Sequence, residues 1–221
     1  ARSAEFIQVL RGAWQHAEFD FAGAFYQCDH LNLEPRPEGI LEVFQGGQSD
    51  DAIGLAAANS DWMFINGGSP ERITTLIEKV RSACKQTGRE VRFAMYAAPL
   101  CRATDDEAWA EIDRRLEHVD PELVKARQAR LAQGAQGMWS NQEDSLALLD
   151  SNEGYAPRLI GSPDTILERV KLFHSIGIDM LHLDLRDELF QSEVLPEISL
   201  EHTTRETILS IPCELTRPVA V

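Results

Sequence analysis

Gly46-Gly47-Gln48-Ser49 stands directly after the apolar run Leu41-Glu42-Val43-Phe44-Gln45. The order reads as a short strand, a glycine turn and a helix opened by Ser49. Adjacent glycines let backbone N–H groups come close to whatever lies above the turn. Ser49 supplies an N-cap hydroxyl, and the first turn of a helix presents unpaired donors. Such a corner accepts an anion and suits a phosphate. The same residues also serve a plain strand-to-helix turn, with the glycines present only for positive φ. Asp50 and Asp51 suit a helix N-terminus but would repel a phosphate, so local chemistry leaves both uses open.

Other side chains could move protons or hold anions. In Asp179-Met180-Leu181-His182-Leu183-Asp184-Leu185 the alternation places His182 and Asp184 on one face and the leucines on the other. The leucine face suits helix packing, so His182 and Asp184 point inward. They read either as a proton relay or as a satisfied polar pair. Tyr96 reads as a hydrogen-bond donor to a reacting oxygen or as a packed aromatic. Arg158 and Arg186 could hold an anionic substrate bidentately, or lie on the surface. Cys28, Cys84, Cys101 and Cys213 are scattered without metal-type spacing. No metal site is expected; free thiols in a reducing, cytoplasmic compartment are.

The elements that must position these groups are α/β in pattern. A helix is expected over 2–15 and an aromatic hairpin over 19–26. Strands are expected over 41–45, 62–66, 91–98 and 179–185. Gly67-Gly68-Ser69-Pro70-Glu71 starts a helix that Gly88 ends, and Gly161-Ser162-Pro163-Asp164 starts another that Gly177 ends. Strand–helix alternation of this kind means a parallel sheet. Between the two units lies a long stretch, 103–160. It carries charged helices from Asp105 and from Pro121 to Gln133. A polar run from Gly134 to Pro157 follows, with Trp139 and Tyr155, and reads as a functional lid or as a solvated insertion.

Composition sets the outer limits. The 221 residues are 43% hydrophobic and 26% charged, ordinary for a globular protein. Lys+Arg number 21 against Asp+Glu 36, a net charge of −15, which argues against nucleic acid and anionic membrane as partners. No apolar run approaches membrane-spanning length. The sequence opens already helical and without Met, as if in the middle of a larger protein.

Taken in order, several motifs resemble a known family. They are the opening helix, Phe19-x-Phe21-x-Gly23-x-Phe25-Tyr26, the Pro35-x-Pro37 loop and the Gly46–Ser49 turn. Ala56-Ala57 with Asp61-Trp62, Arg102-x-Thr104-x-x-Glu107-Ala108 and Gly161–Asp164 complete the set. Over residues 1–198 this is similar to the luciferase-like flavin-dependent monooxygenases, most of all the two-component alkanesulfonate and dimethylsulfone enzymes. The resemblance implies the C-terminal half of a (β/α)8 TIM-type barrel. A helical or mobile insertion over about 103–160 would precede the last βα unit, and 199–221 would be a tail. A complete barrel needs about 250 residues. A half would expose strand edges and an inner face, so it would need its other half or a second copy, a homo-oligomer.

The resemblance also implies chemistry. The activity would be oxygenation of a small organic compound, organosulfur included, through a flavin C4a-peroxide. The cofactor would be reduced FMN (FMNH2), with O2 as co-substrate and an NAD(P)H:FMN reductase as partner. Gly46, Gly47, Gln48 and Ser49 would bind the FMN phosphate. An F420-dependent oxidoreductase and a shortened, non-catalytic flavin-binding relative are the alternatives. The family's Arg-x-His on the third strand is replaced here by Tyr96 and Ala98. Its loop Arg falls near Asn152, and its Tyr after the last strand at Arg186. These departures leave sulfonate chemistry in question.

Overall fold

Apolar strands alternate with amphipathic helices from Phe44 onward. The structure is a computed structural model and describes residues 1–132, 145–150 and 153–201. Trp139, Asn152, Cys213 and the segment after Glu201 lie outside them.

In chain order, α1 (Arg2–Gln15) precedes an antiparallel hairpin, β1 (Phe19–Ala22) and β2 (Gln27–Leu31). Glu5 of α1 pins that hairpin. Its carboxylate accepts the N–H groups of Ala24, Phe25 and Tyr26 at 3.0, 2.8 and 3.2 Å. The Phe25 N–H, chief among them, draws its pKa below the usual carboxylate value. Next come β3 (Phe44–Gly46), α2 (Asp50–Asn59), β4 (Trp62–Ile65), α3 (Pro70–Thr87), β5 (Arg92–Ala97) and β6 (Leu100–Cys101). The helices α4 (Asp105–Glu117) and α5 (Pro121–Ala132) follow. Then come β7 (Ile160–Gly161), α6 (Pro163–Ile176), β8 (Met180–Leu183) and α7 (Leu195–Glu201).

Four strands form one parallel sheet in the order β3-β4-β5-β8. The first of them starts three residues later than expected. The Asp61 carboxylate takes the Val43 N–H at 2.8 Å, and the Val43 carbonyl accepts from Asp61 and Trp62. Val43 is therefore held before regular pairing begins. The helix boundaries follow their caps. Ser69 Oγ accepts from Arg72 N–H at 3.3 Å, and Gly88 closes α3 with φ 66°. Ser162 and Gly177 bound α6 in the same way.

The two faces of the sheet differ. Met63, Ile65, Phe93 and Met95 pack against Ile53, Ala56 and Ala57 of α2 and Ile73, Ile77 and Val80 of α3. Ile77 is 1% exposed; cutting it to Ala would cost ~2–5 kcal/mol. Leu181 and Leu183 join the helix-side clusters, as the alternation predicts. The other face presents Phe44, Trp62, Phe64, Ala94, Tyr96, Met180 and His182. At its N-terminal end the residues are tied down. Phe44 stacks on Trp62 with ring centres 5.2 Å apart, and the Arg92 guanidinium lies 4.0 Å from the Trp62 ring centre. Glu42 accepts from Trp62 Nε1 at 2.8 Å and pairs with Arg92.

The long segment leaves and returns at one place. Leu100 and Cys101 pair in parallel with Ile160 and Gly161, outside the main sheet. Within this segment Leu146, Ala147, Glu153 and Ala156 are buried, while much of α4 and α5 is exposed. Cys28, Cys84 and Cys101 are free thiols, and burial pushes the Cys101 thiol up to about 11.

Candidate functional site at the C-terminal rim of the sheet

Parallel strands aim their C-terminal ends at one rim, where α/β proteins bind ligands. Here that rim is built from Gly46–Ser49 after β3, Asn66–Ser69 after β4, Ala97–Pro99 after β5 and Asp184–Arg186 after β8.

The turn after β3 has the geometry its residues predict. Gly47 has φ 111°, a conformation L side chains rarely adopt. A Cβ on Gly46 would meet only the Phe64 carbonyl, at 4.0 Å, so the space above it is open. Ser49 Oγ caps α2 by accepting the Ala52 N–H at 3.3 Å. The start of α2 thus presents N–H groups and the positive end of the helix dipole beside an exposed glycine pair.

A second turn of this type shows what such a corner does when filled. Gly161-Ser162 precedes α6, and there the Asp105 carboxylate occupies the anion position. The Ser162 N–H donates to Asp105 Oδ1 at 2.6 Å and Thr165 Oγ1 donates to Oδ2 at 3.0 Å. The Ser162 N–H, as the largest cause, draws the Asp105 pKa below the usual carboxylate value.

Next to the open turn stands Arg72 of α3. One guanidinium nitrogen donates to Gln48 Oε1 at 3.2 Å; the other donates to Glu153 at 2.8 Å. Glu153 is fully buried, 0% exposed, and Arg72 is about a quarter exposed. Gly67 makes the approach possible. A Cβ there would lie 2.0 Å from the Glu153 carbonyl and 2.6 Å from Pro157. The segment 153–157 therefore rests on the end of β4. It also reaches β5: the Ala98 N–H donates to the Gly154 carbonyl at 2.8 Å.

Below the rim the aromatic groups line up. His182 lies 5.8 Å from the Phe64 ring and 5.9 Å from the Tyr96 ring, centre to centre. The Tyr96 hydroxyl is pushed up to about 12, first by burial and then by its hydrogen bond to Asp150. His182 lies on the inner face of β8 beside Tyr96, and Asp184 follows the strand; they are not a buried pair. His182 is exposed, and the Asp184 carboxylate is taken by Arg186, whose Nε donates to both oxygens at 2.8 and 2.9 Å. That bond holds the Asp184 pKa below the usual carboxylate value. Arg158 lies elsewhere, 5.9 Å from the Trp109 ring centre beside α4. Asn66 directly follows β4, with its Nδ2 buried and no partner for it among the described residues.

Arg72 and Glu153 were not legible as site residues. Arg72 falls inside a well-formed helix, and Glu153 in a polar run without periodicity. The available signal was Gly67 with Gly154, two glycines that mark a close backbone approach. On the hairpin, Asp20, Asp29 and His30 lie near one another, all exposed. The His30 N–H donation to Asp20 at 2.7 Å accounts for that arrangement as a turn.

The fold and rim define a class: α/β proteins with a parallel sheet and glycine–serine strand-to-helix turns at its C-terminal rim. Within it, the sequence profile of the luciferase-like monooxygenases matches residues 1–180, and the chain belongs to that family. It is 36% identical to an FMNH(2)-dependent dimethylsulfone monooxygenase of Pseudomonas fluorescens (strain Pf0-1), over 88% of this chain and 56% of that protein. It is 33% identical to a protein of the same description from Pseudomonas putida, over 94% and 61% respectively. The chain thus spans about three fifths of the length of these relatives. The EDTA monooxygenase of Chelativorans sp. BNC1 shares the fold, with a TM-score of 0.67 at 19% identity over 90% of this chain and 59% of that one.

Proposed function

We propose that this chain is the C-terminal portion of a monooxygenase that uses reduced FMN and O2 on a small, uncharged organosulfur compound such as a sulfone. Residues 1–198 would supply the latter half of a (β/α)8 barrel, with 103–160 as its insertion and 199–221 as a tail. The sheet supports this. Among the described residues its edge strands β3 and β8 each have one neighbour, and its inner face bears an exposed His182 and a Phe44 that is 45% exposed. Such edges and faces call for further strands, from the rest of the protein or from a second copy in a homo-oligomer. A reducing, cytoplasmic setting and an NAD(P)H:FMN reductase as electron donor complete the proposal.

The observation that carries the reading is the open Gly46–Ser49 turn. The residues fit a flavin phosphate. Gly46 leaves room, Gly47 turns the chain, and Ser49 with the start of α2 supplies donors. Gln48 would line the same corner. Bound there, reduced FMN would supply the electrons and the oxygen chemistry. The protein would orient it and keep water out. Phe64 and the His182 ring would form an apolar wall below the rim. Tyr96, at about 12, keeps its proton on Oη throughout the neutral range, so it would serve as a hydrogen-bonding group and not as a base. Asp184 absorbs the charge of Arg186, and Arg158 is placed against Trp109. Neither arginine is aimed at a substrate anion, which favours a sulfone over a sulfonate.

The test is O2 uptake by the purified protein with reduced FMN and dimethylsulfone. Substrate-dependent uptake with FMN, and none with F420, is expected. Binding of F420 with no affinity for FMN would refute the cofactor. FMN binding without turnover of any sulfone, sulfonate or ketone would refute the activity.

A further inference from the structure

The pair Arg72–Glu153 belongs to no motif described above, yet it joins the open turn to the long segment. Arg72 starts on α3 and reaches across to the turn before α2. Its reach is fixed from both sides. Glu153 is fully buried, so its carboxylate must keep a cation beside it: stranding a buried charge is far more costly than pairing it. Gln48 Oε1 accepts from the second guanidinium nitrogen at 3.2 Å. The stem passes Gly68, where an added Cβ would lie 3.5 Å from Arg72 Cδ. A guanidinium so placed presents its remaining N–H donors in a rigid fork, and that fork matches phosphate.

We infer that Arg72, positioned by Glu153, is the residue that makes this turn select a phosphorylated flavin over one without the phosphate. The inference rests on the phosphate reading of Gly46–Ser49 and deepens it. The long segment then has a task at the rim: it delivers the buried carboxylate that aims Arg72. Glu153 is a positioning residue, and Arg72 a specificity-determining one. The arrangement at Gly161–Ser162 is the internal counterpart: there the anion is the chain's own Asp105, and among the described residues its hydrogen bonds come from Ser162 and Thr165.

The experiment measures the dissociation constants of FMN and riboflavin by flavin fluorescence for the purified protein and for Arg72→Gln, with Arg72→Lys as the charge-conserving variant. The expected result is a preference for FMN in the natural protein. Arg72→Gln should lose at least about tenfold in FMN affinity, about 1.4 kcal/mol, while riboflavin affinity changes less than about twofold. Arg72→Lys should fall between. If Arg72→Gln does not fold because it strands Glu153, the double variant Arg72→Met/Glu153→Met removes both charges and should show the same selective loss. Equal weakening of both flavins would show a merely structural arginine and overturn the inference, as would unchanged FMN affinity. No preference for FMN in the natural protein would instead overturn the phosphate reading beneath it.

Discussion

Two corners of this molecule are built alike and differ in what lies above them. At Gly46–Ser49 and at Gly161–Ser162, glycine turns the chain out of a strand and a serine caps the next helix. At the second, Asp105 sits on the Ser162 N–H and the corner is closed by the protein itself. At the first, the space above Gly46 is open, and Arg72, held by Glu153, donates to the turn's Gln48. At Ser162 the backbone of a strand-to-helix turn seats a carboxylate; on the proposed reading, the Gly46–Ser49 turn would seat a ligand's anion in the same way.

Substitutions can break that contrast, and the largest effect should come from Gly46→Val. Gly46 has negative φ and an open neighbourhood, so the fold should tolerate the side chain. The side chain would fill the space proposed for the phosphate. FMN affinity should drop at least tenfold, about 1.4 kcal/mol, with an unchanged melting temperature. Unchanged affinity would remove the turn from the site.

A paired test comes next. Ser49→Ala and Ser162→Ala each remove a cap, and each should cost ~1 kcal/mol of stability. Only Ser49→Ala should also weaken FMN in the binding assay. Equal effects of the two on flavin binding would erase the distinction between the corners.

The smallest effect concerns pH. The folded pKa of Asp105 lies below its ordinary value, so the folded state binds this proton less tightly than the unfolded one. Its contribution is present above about pH 4 and disappears as pH falls through the lowered folded value. Asp105→Asn should therefore flatten part of the acid limb of an unfolding titration and leave the neutral region nearly level. An unchanged acid limb would show that the Ser162 bond contributes nothing to stability.

Much of the fold was legible because local signals agreed with one another. Ser69-Pro70 and Gly88, and Ser162-Pro163 and Gly177, bounded their helices where the structure has them. Leucine alternation assigned the two faces of β8. The start of β3 was missed because a distant side chain, Asp61, takes the Val43 N–H. The geometry of the Gly46–Ser49 turn, with positive φ at Gly47 and the Ser49 cap, was legible because its signals are local. The His182–Asp184 pairing failed because Arg186, two residues on, captures the carboxylate. Arg72 and Glu153 are 81 residues apart in sequence, and neither has a pattern around it that announces the other. Contacts made by folding alone leave little trace in spacing.

The most direct measurement is a 15N–1H amide spectrum of the labelled protein, titrated with FMN and separately with riboflavin. The amides of Gly46, Gly47, Gln48, Ser49 and Asp50 should move with FMN and much less with riboflavin, while Gly161 and Ser162 stay in place. Shifts at Gly161–Ser162 with none at Gly46–Ser49, or identical shifts with both flavins, would contradict a phosphate seat at the end of β3.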